Sequence, residues 1–193
     1  MYEFIKGNII ELTPTFVVCE NNGMGFLLHI TLNTFGKLKQ GEESLLYIHQ
    51  VVREDAHLFY GFKEKREREI FRLLISVSGV GANTARMILS SLSPEELVNA
   101  IATANIKQLQ SIKGIGEKSA QRLVVELKDK IGKAFSGGEI FENSKSTSSR
   151  EAISALIMLG FTKAQVEKTV DKIEKEKPGA DVEEIIKTAL RLL

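Results

Sequence analysis

The chain has 193 residues, with 26 Lys+Arg against 25 Asp+Glu for a net charge of +1. A hydrophobic share of 43% supports a packed core and excludes a globally disordered chain. No apolar run approaches the roughly 18 residues that cross a membrane, and Met1–Lys6 lacks the basic-then-apolar pattern of a signal peptide. The single cysteine, Cys19, cannot form an intrachain disulfide, so a reducing cytoplasm is expected. The near-neutral total conceals a division: residues 1–63 carry a net −2, residues 64–135 a net +4 and residues 136–193 a net −1.

Residues 1–63 read as β. A first strand carries Phe4, Ile5, Ile9, Ile10 and Leu12, with Gly7 as an interruption. Thr15–Cys19 and Phe26–Ile30 flank Asn21-Asn22-Gly23, a strong hairpin signal. Leu45–Val52 and Leu58–Phe62 complete five short runs, joined by the charged link Arg53-Glu54-Asp55-Ala56-His57. Five strands in about 60 residues fit a small closed barrel of the OB-fold type.

The pattern becomes helical at Glu64. Within residues 64–134 one phrase occurs twice, Gly79-Val80-Gly81 and Gly114-Ile115-Gly116, about 35 positions apart. Each is followed by apolar residues at helical spacing: Ala85, Ile88, Leu89 and Leu92, then Ala120, Leu123, Val124, Leu127 and Ile131. Between them Ser93-Pro94-Glu95-Glu96 is a helix start with a capping box, and Asn105 caps a further short helix. A glycine-bounded turn at a helix start gathers unbonded amides at the positive end of the helix dipole, which suits an anion. An ordinary inter-helix turn is the plainer reading of a single copy. Duplication within the basic segment favours phosphates recurring at a fixed distance, bound through the backbone and without reading bases. Lys118 and Arg122, one helical turn apart, are candidates to add charge at the second copy.

Residues 135–147 are small and polar and read as a flexible linker. Residues 148–193 read as three short helices, with capping boxes at Ser148–Glu151 and Thr162–Gln165 and a helix start at Asp181–Glu184. So small a module leaves apolar surface for a partner.

Other chemistry is poorly supported. Gly116-Glu117-Lys118-Ser119 looks like the end of a P-loop but has glutamate where glycine is needed. His29, His49 and His57 are scattered, and with one cysteine a structural zinc is not expected; no cofactor is expected either. Glu54 and Asp55 are adjacent carboxylates in a tight link, for which a plain surface loop is the better reading from physics alone, although beside DNA they would repel phosphates. At about 4 Å a like-charge pair costs on the order of 1 kcal/mol in water and about 4 kcal/mol at an effective dielectric near 20, enough to hold phosphate strands apart.

Taken together these residues resemble the RuvA family, the bacterial Holliday-junction-binding subunits of a branch-migration complex. The resemblance runs over essentially the whole chain. It is carried by Val51-Val52-Arg53-Glu54-Asp55-Ala56 and Tyr60-Gly61-Phe62, by the two Gly-apolar-Gly turns as helix-hairpin-helix motifs, and by Ala155–Phe161. It implies an α+β protein: an N-terminal five-stranded OB-fold barrel (1–63), a central helical domain with two helix-hairpin-helix motifs (64–134), a linker (135–147) and a three-helix module (148–193). It implies a non-catalytic, sequence-independent binder of four-way junction DNA, a homotetramer or an octamer on DNA. Its partners would be the RuvB ATPase, to which ATP hydrolysis belongs, and RuvC resolvase. Gly79, Val80, Gly81, Asn83, Gly114, Ile115, Gly116, Lys118 and Arg122 would contact DNA. Glu54 and Asp55 would form an acidic pin at the crossover, and Leu156, Leu159, Phe161 and Leu190 would face RuvB. Asn83 and Glu117 stand where family members often carry lysine, which should weaken phosphate attraction, with Arg86 or Lys113 as candidate compensation. Two alternatives compete. A helix-hairpin-helix glycosylase or nuclease would need a catalytic domain for which the chain leaves no room. A single-strand binder would need exposed aromatics, and Tyr2, Phe26, Tyr47 and Tyr60 show no stacking platform in the sequence.

Overall fold

The computed structural model describes residues 2–135 and 147–193, without the side chains of 132–135, 147 and 150. The expected linker therefore lies outside the described residues except at its two ends. The chain divides into two compact units, Met1–Glu139 and Ile140–Leu193.

The first unit opens with five strands: β1 (Phe4–Leu12), β2 (Phe16–Asn21), β3 (Met24–His29), β4 (Glu43–Val52) and β5 (His57–Phe62). They close into a barrel in the order β1-β2-β3-β5-β4, with β1 pairing β4 and only β3–β5 parallel. Asn22 (φ 49°) and Gly23 (φ 82°) turn β2 into β3, the positive-φ pair a two-residue hairpin loop requires. Alternate residues point inward, so Ile9, Val17, Cys19, Leu28, Leu46 and Ile48 fill the barrel. Gly7 does not interrupt β1. A Cβ there would lie 2.0 Å from the Glu20 carbonyl oxygen, so glycine is what lets β1 and β2 approach. A one-turn helix, α1 (Leu32–Phe35), links β3 to β4, capped by Thr31, whose hydroxyl accepts from the Thr34 amide; it was not expected.

Five helices follow: α2 (Lys65–Ile75), α3 (Ala82–Ser91), α4 (Pro94–Ala102), α5 (Ile106–Gln110) and α6 (Glu117–Phe135). Ser93 caps α4 with the full capping box, and Asn105 caps α5, both as expected. Two helix-hairpin-helix units result, α2–α3 and α5–α6, around one core that includes Ala85, Ile88, Leu89, Ala120, Leu123 and Leu127.

Barrel and helices share a seam. Tyr60 and Phe62 of β5 pack on Phe71 of α2, with ring centroids 5.1 and 5.0 Å apart. Arg68 of α2 is buried: it bonds the Glu3 carboxylate, donates to the Glu3 carbonyl at 2.8 Å and lies 5.3 Å over the Tyr47 ring. Glu67, also buried, accepts from the hydroxyls of Thr31 and Thr34. Burial pushes its carboxyl above the ordinary range, against the two hydroxyl hydrogen bonds. Asn33 donates to the carbonyls of Leu89 and Leu92 at the end of α3. With aromatic, ionic and polar contacts along one seam, the barrel is a fixed mount for the first hairpin.

Among the described residues the second unit has three helices: α7 (Thr147–Met158), α8 (Lys163–Glu176) and α9 (Val182–Leu192). Ala152, Leu156, Val166, Val170, Ile173, Ile185 and Ala189 form its core. Asp181 caps α9 by accepting from the Glu184 amide at 2.8 Å. Two expected capping boxes differ. α7 already includes Thr147, so Ser148 stands inside its first turn. Thr162 caps α8 in position but its hydroxyl donates to the Gln165 side chain at 2.6 Å, not accepting from an amide.

Candidate nucleic-acid interface

The two hairpins have the same backbone. In the first, the Val80 amide donates to the Val77 carbonyl at 3.0 Å around Ser78-Gly79; in the second, Ile115 donates to Ile112 at 3.0 Å around Lys113-Gly114. Gly79 (φ 87°) and Gly114 (φ 89°) hold positive φ while Ser78 and Lys113 do not, which makes each a type II turn with its obligatory glycine. Each following helix makes its first amide bond at the same place, Ala85 to the Gly81 carbonyl and Ala120 to the Gly116 carbonyl, both at 2.9 Å. The amides of Ala82, Asn83 and Thr84, and of Glu117, Lys118 and Ser119, thus precede the first intrahelical bond and have no acceptor in their own helix. No side chain caps α3. Three free N–H groups at each positive helix end are a receptor for an anionic oxygen.

The four hairpin glycines fall into two kinds. Gly79 and Gly114 are required by their φ. Gly81 and Gly116 are not in the positive-φ region, and a Cβ built on either would meet nothing within 4 Å. The folded chain would accept a side chain at both; bare backbone there serves something that approaches from outside.

Val80 and Ile115 need correction as contact residues. Both side chains are buried and both amides are used within their own turns. They anchor the hairpins to the core, and the open amides are those two to four residues further on. An apolar residue between two glycines was itself the signal, since a solvent-facing tip has no use for it.

Lys118 is exposed at the start of α6. Asn83, its counterpart, accepts from the Tyr60 hydroxyl at 3.2 Å. Arg122 donates to the Ser78 carbonyl of the first hairpin at 2.9 Å, so the second repeat reaches across to the first. Of the two candidate compensating charges, Arg86 donates to the Thr15 carbonyl at 3.0 Å and stands beside His29, whose imidazole is held below its usual range by burial and then by that charge. Lys113 stays exposed at the tip of the second turn.

Glu54 and Asp55 are exposed at the tip of the β4–β5 hairpin, a loop closed by the Arg53 amide on the Ala56 carbonyl at 2.9 Å. The same strand β5 carries Tyr60 to Asn83, so one strand joins the acidic tip to the first hairpin.

The aromatic residues part ways. Tyr60 is buried in the seam and Tyr47 lies under Arg68. Tyr2 and Phe26 line a cavity of about 300 Å³ with Phe4 and Phe59. Tyr2, itself exposed, meets Phe59 edge-on (5.4 Å, 89°), so the two rings do not present parallel faces to successive bases.

In the second unit Leu156 is fully buried in the three-helix core, so it is a packing residue and not a partner-facing one. Phe161 is half-buried against the same core. Leu159 and Leu190 remain exposed at 62% and 46%, and Met158, which the sequence reading passed over, is 86% exposed. Spacing could not separate these residues, because a run of apolar side chains at the end of a short helix belongs to no single face. Among the described residues no helix is long and apolar enough to cross a membrane, and no group of three or more His, Cys, Asp and Glu converges.

A closed barrel fused to paired hairpins, with an acidic tip between strands, defines a barrel-bearing helix-hairpin-helix protein. In comparison with family models, residues 1–61 match the RuvA N terminal domain, 71–129 the SAM-like helix-hairpin-helix tandem and 148–193 the RuvA C-terminal domain. The chain belongs to the RuvA family. Proteins named Holliday junction branch migration complex subunit RuvA from Christiangramia forsetii, Bacteroides thetaiotaomicron and Parabacteroides distasonis are 51%, 48% and 52% identical to it, each aligned over 100% of both chains.

Proposed function

We propose that this protein binds four-way DNA junctions by structure and not sequence, holds them open, and recruits the RuvB motor for branch migration in recombination and repair. One observation carries the DNA reading: Gly81 and Gly116 are glycines the fold does not need, each beside three free helix-start amides. A phosphate oxygen bonding those amides would occupy the space a side chain would take. Because amides meet phosphates and not base edges, such binding is indifferent to sequence.

The protein makes or breaks no covalent bond in this reading; its residues position and repel. The hairpins grip duplex arms, Gly79, Gly81, Gly114 and Gly116 by bare backbone and Lys118 by charge, with Asn83 contributing its amide. Glu54 and Asp55 stand at the point the strands leave and separate them by repulsion. Four copies around the crossover would bring four such tips together, so the working form is a homotetramer, or two tetramers clasping one junction. Leu159, Leu190 and Met158 offer the second unit's apolar surface to RuvB, and RuvC acts on the same junction. The site of action is the cytoplasm.

A gel shift with a four-way junction and a linear duplex of matched length, with the mass of the free protein measured alongside, tests this. Strong junction preference and a tetrameric mass are expected; equal affinity for the two DNAs would refute the reading. Replacing Glu54 and Asp55 by Asn should keep or strengthen junction binding while altering RuvB-driven migration. Lost binding would contradict the pin.

A further inference from the structure

We propose that Arg122 is a positioning residue: supplied by the second repeat, it fixes the central peptide of the first hairpin so that the Gly79 amide points outward to a DNA phosphate. The inference rests on the hairpins being phosphate sites.

A type II turn differs from a type I turn chiefly in a flip of its central peptide, here Ser78–Gly79. That peptide is planar and trans, so its C=O and N–H point in opposite directions. Arg122 Nη1 donates to the Ser78 carbonyl oxygen at 2.9 Å. While that bond holds, the Gly79 N–H must face away from α6, and both Ser78 and Gly79 are exposed. The guanidinium sits close: a Cβ on Gly79 would lie 3.7 Å from Nη1. Glu126, one turn on, stands 4.0 Å from Arg122 Nε and steadies it from the other side.

The duplication supplies an internal control. Counting from the hairpin glycines, the residue in the first repeat equivalent to Arg122 is Met87, and its Cε lies 3.6 Å from where a Cβ on Gly114 would be. Each repeat thus reaches the other's hairpin with the same position of its second helix. Met87 fills space but has no proton to donate, whereas Arg122 fills space and donates. The clamp exists on one hairpin and only packing on the other. A charge meant solely for DNA would have no reason to bond a carbonyl of the neighbouring turn.

The test uses the full chain with matched junction DNA, in Arg122→Met, which copies the other repeat, and Arg122→Lys, which keeps charge and a donor. Arg122→Met is expected to bind about three- to tenfold more weakly, the loss of one hydrogen bond's ordering. The slope of log affinity against log salt should stay as in the parent. In the free protein the Val80 amide, which closes the first turn, should exchange faster with deuterium while the Ile115 amide is unchanged. Arg122→Lys should recover affinity and slow Val80 exchange together. The proposal is overturned if Arg122→Met lowers the salt slope by about one, the mark of a lost phosphate contact, with Val80 exchange unchanged. It is equally overturned if Arg122→Lys restores affinity without restoring exchange. Gly81→Asp separates the two readings: binding that survives it refutes the hairpin as a phosphate site, while Val80 exchange still reports on the clamp.

Discussion

At the second position of its following helix the first hairpin has Asn83, hydrogen-bonded to Tyr60 of the barrel, and the second has Lys118, exposed to solvent. One turn on, the first has Arg86, which donates to the Thr15 carbonyl, where the second has Gln121, which donates to Glu117 at 3.3 Å. The turns themselves match bond for bond. The first hairpin has exchanged free charge for attachment to the barrel, and so to the strand that ends in Glu54 and Asp55. The second keeps its charge and, through Arg122, braces the first. On the reading proposed above, a duplicated unit divides its work, with geometry assigned to one copy and electrostatic attraction to the other. The substitution of Asn83 for a lysine, which from sequence reads as a loss, is in the structure a contact between the two domains.

The largest test of this comparison acts on what the hairpins share. Gly81→Asp and Gly116→Asp each place a carboxylate where a phosphate would sit, in space the fold leaves open. A like charge at about 4 Å costs about 1 to 4 kcal/mol, so each variant should lose about fivefold or more in junction affinity. Thermal melting should stay near that of the parent. Equal losses would show the two sites to be equivalent as amide receptors, and a loss at one alone would break the pairing. A smaller effect separates them. Lys118→Gln should reduce the salt slope of binding by about one, while Asn83→Ala should leave the slope alone and lower stability through the lost Tyr60 bond, by about 1 kcal/mol. Salt titrations and urea midpoints read the two effects; a slope change in Asn83→Ala would end the division of labour.

Local chemistry explains what the sequence disclosed. Strand alternation, Asn22-Gly23, and the caps at Ser93, Asn105 and Asp181 act over four residues or fewer, and each is found where the pattern places it. Gly7 misled, because its reason is the Glu20 carbonyl on the neighbouring strand, and α1 escaped because four residues make no periodic pattern. The hairpins were legible as a pair, but the duties of Val80, Asn83, Arg86 and Arg122 were not. Each is fixed by a partner at a distance in sequence: the core, Tyr60, Thr15 and Ser78. Leu156 and Leu159 differ by three positions and similar chemistry, and only packing of α8 and α9 against α7 decides which is covered.

The smallest effect concerns the mount of the first hairpin, and pH isolates it. Glu67, buried between α1 and α2 under Thr31 and Thr34, has a folded pKa raised by burial. The folded chain therefore holds that proton more tightly than the unfolded one, whose value is about 4.3. Stability from this group is full below that value and is lost as pH rises through the folded pKa. Glu3 runs the other way. Its bond to Arg68 lowers its pKa, so its contribution is present above the ordinary carboxylate value and is lost as pH falls through the lowered one. The two occupy opposite sides of the same ordinary value, and a single acid titration of the parent mixes them. Glu67→Gln removes one, keeping an acceptor for a threonine hydroxyl. The difference in urea midpoint between parent and variant should change between about pH 4.3 and the raised folded pKa, with the parent losing ground as pH rises, and should be flat on either side of that window. The same variant should leave the Lys118 salt slope untouched, because the second hairpin does not stand on this seam. A slope that moved with Glu67 would mean that barrel, first hairpin and second hairpin respond as one body, and that the asymmetry between the copies is one of contact and not of function.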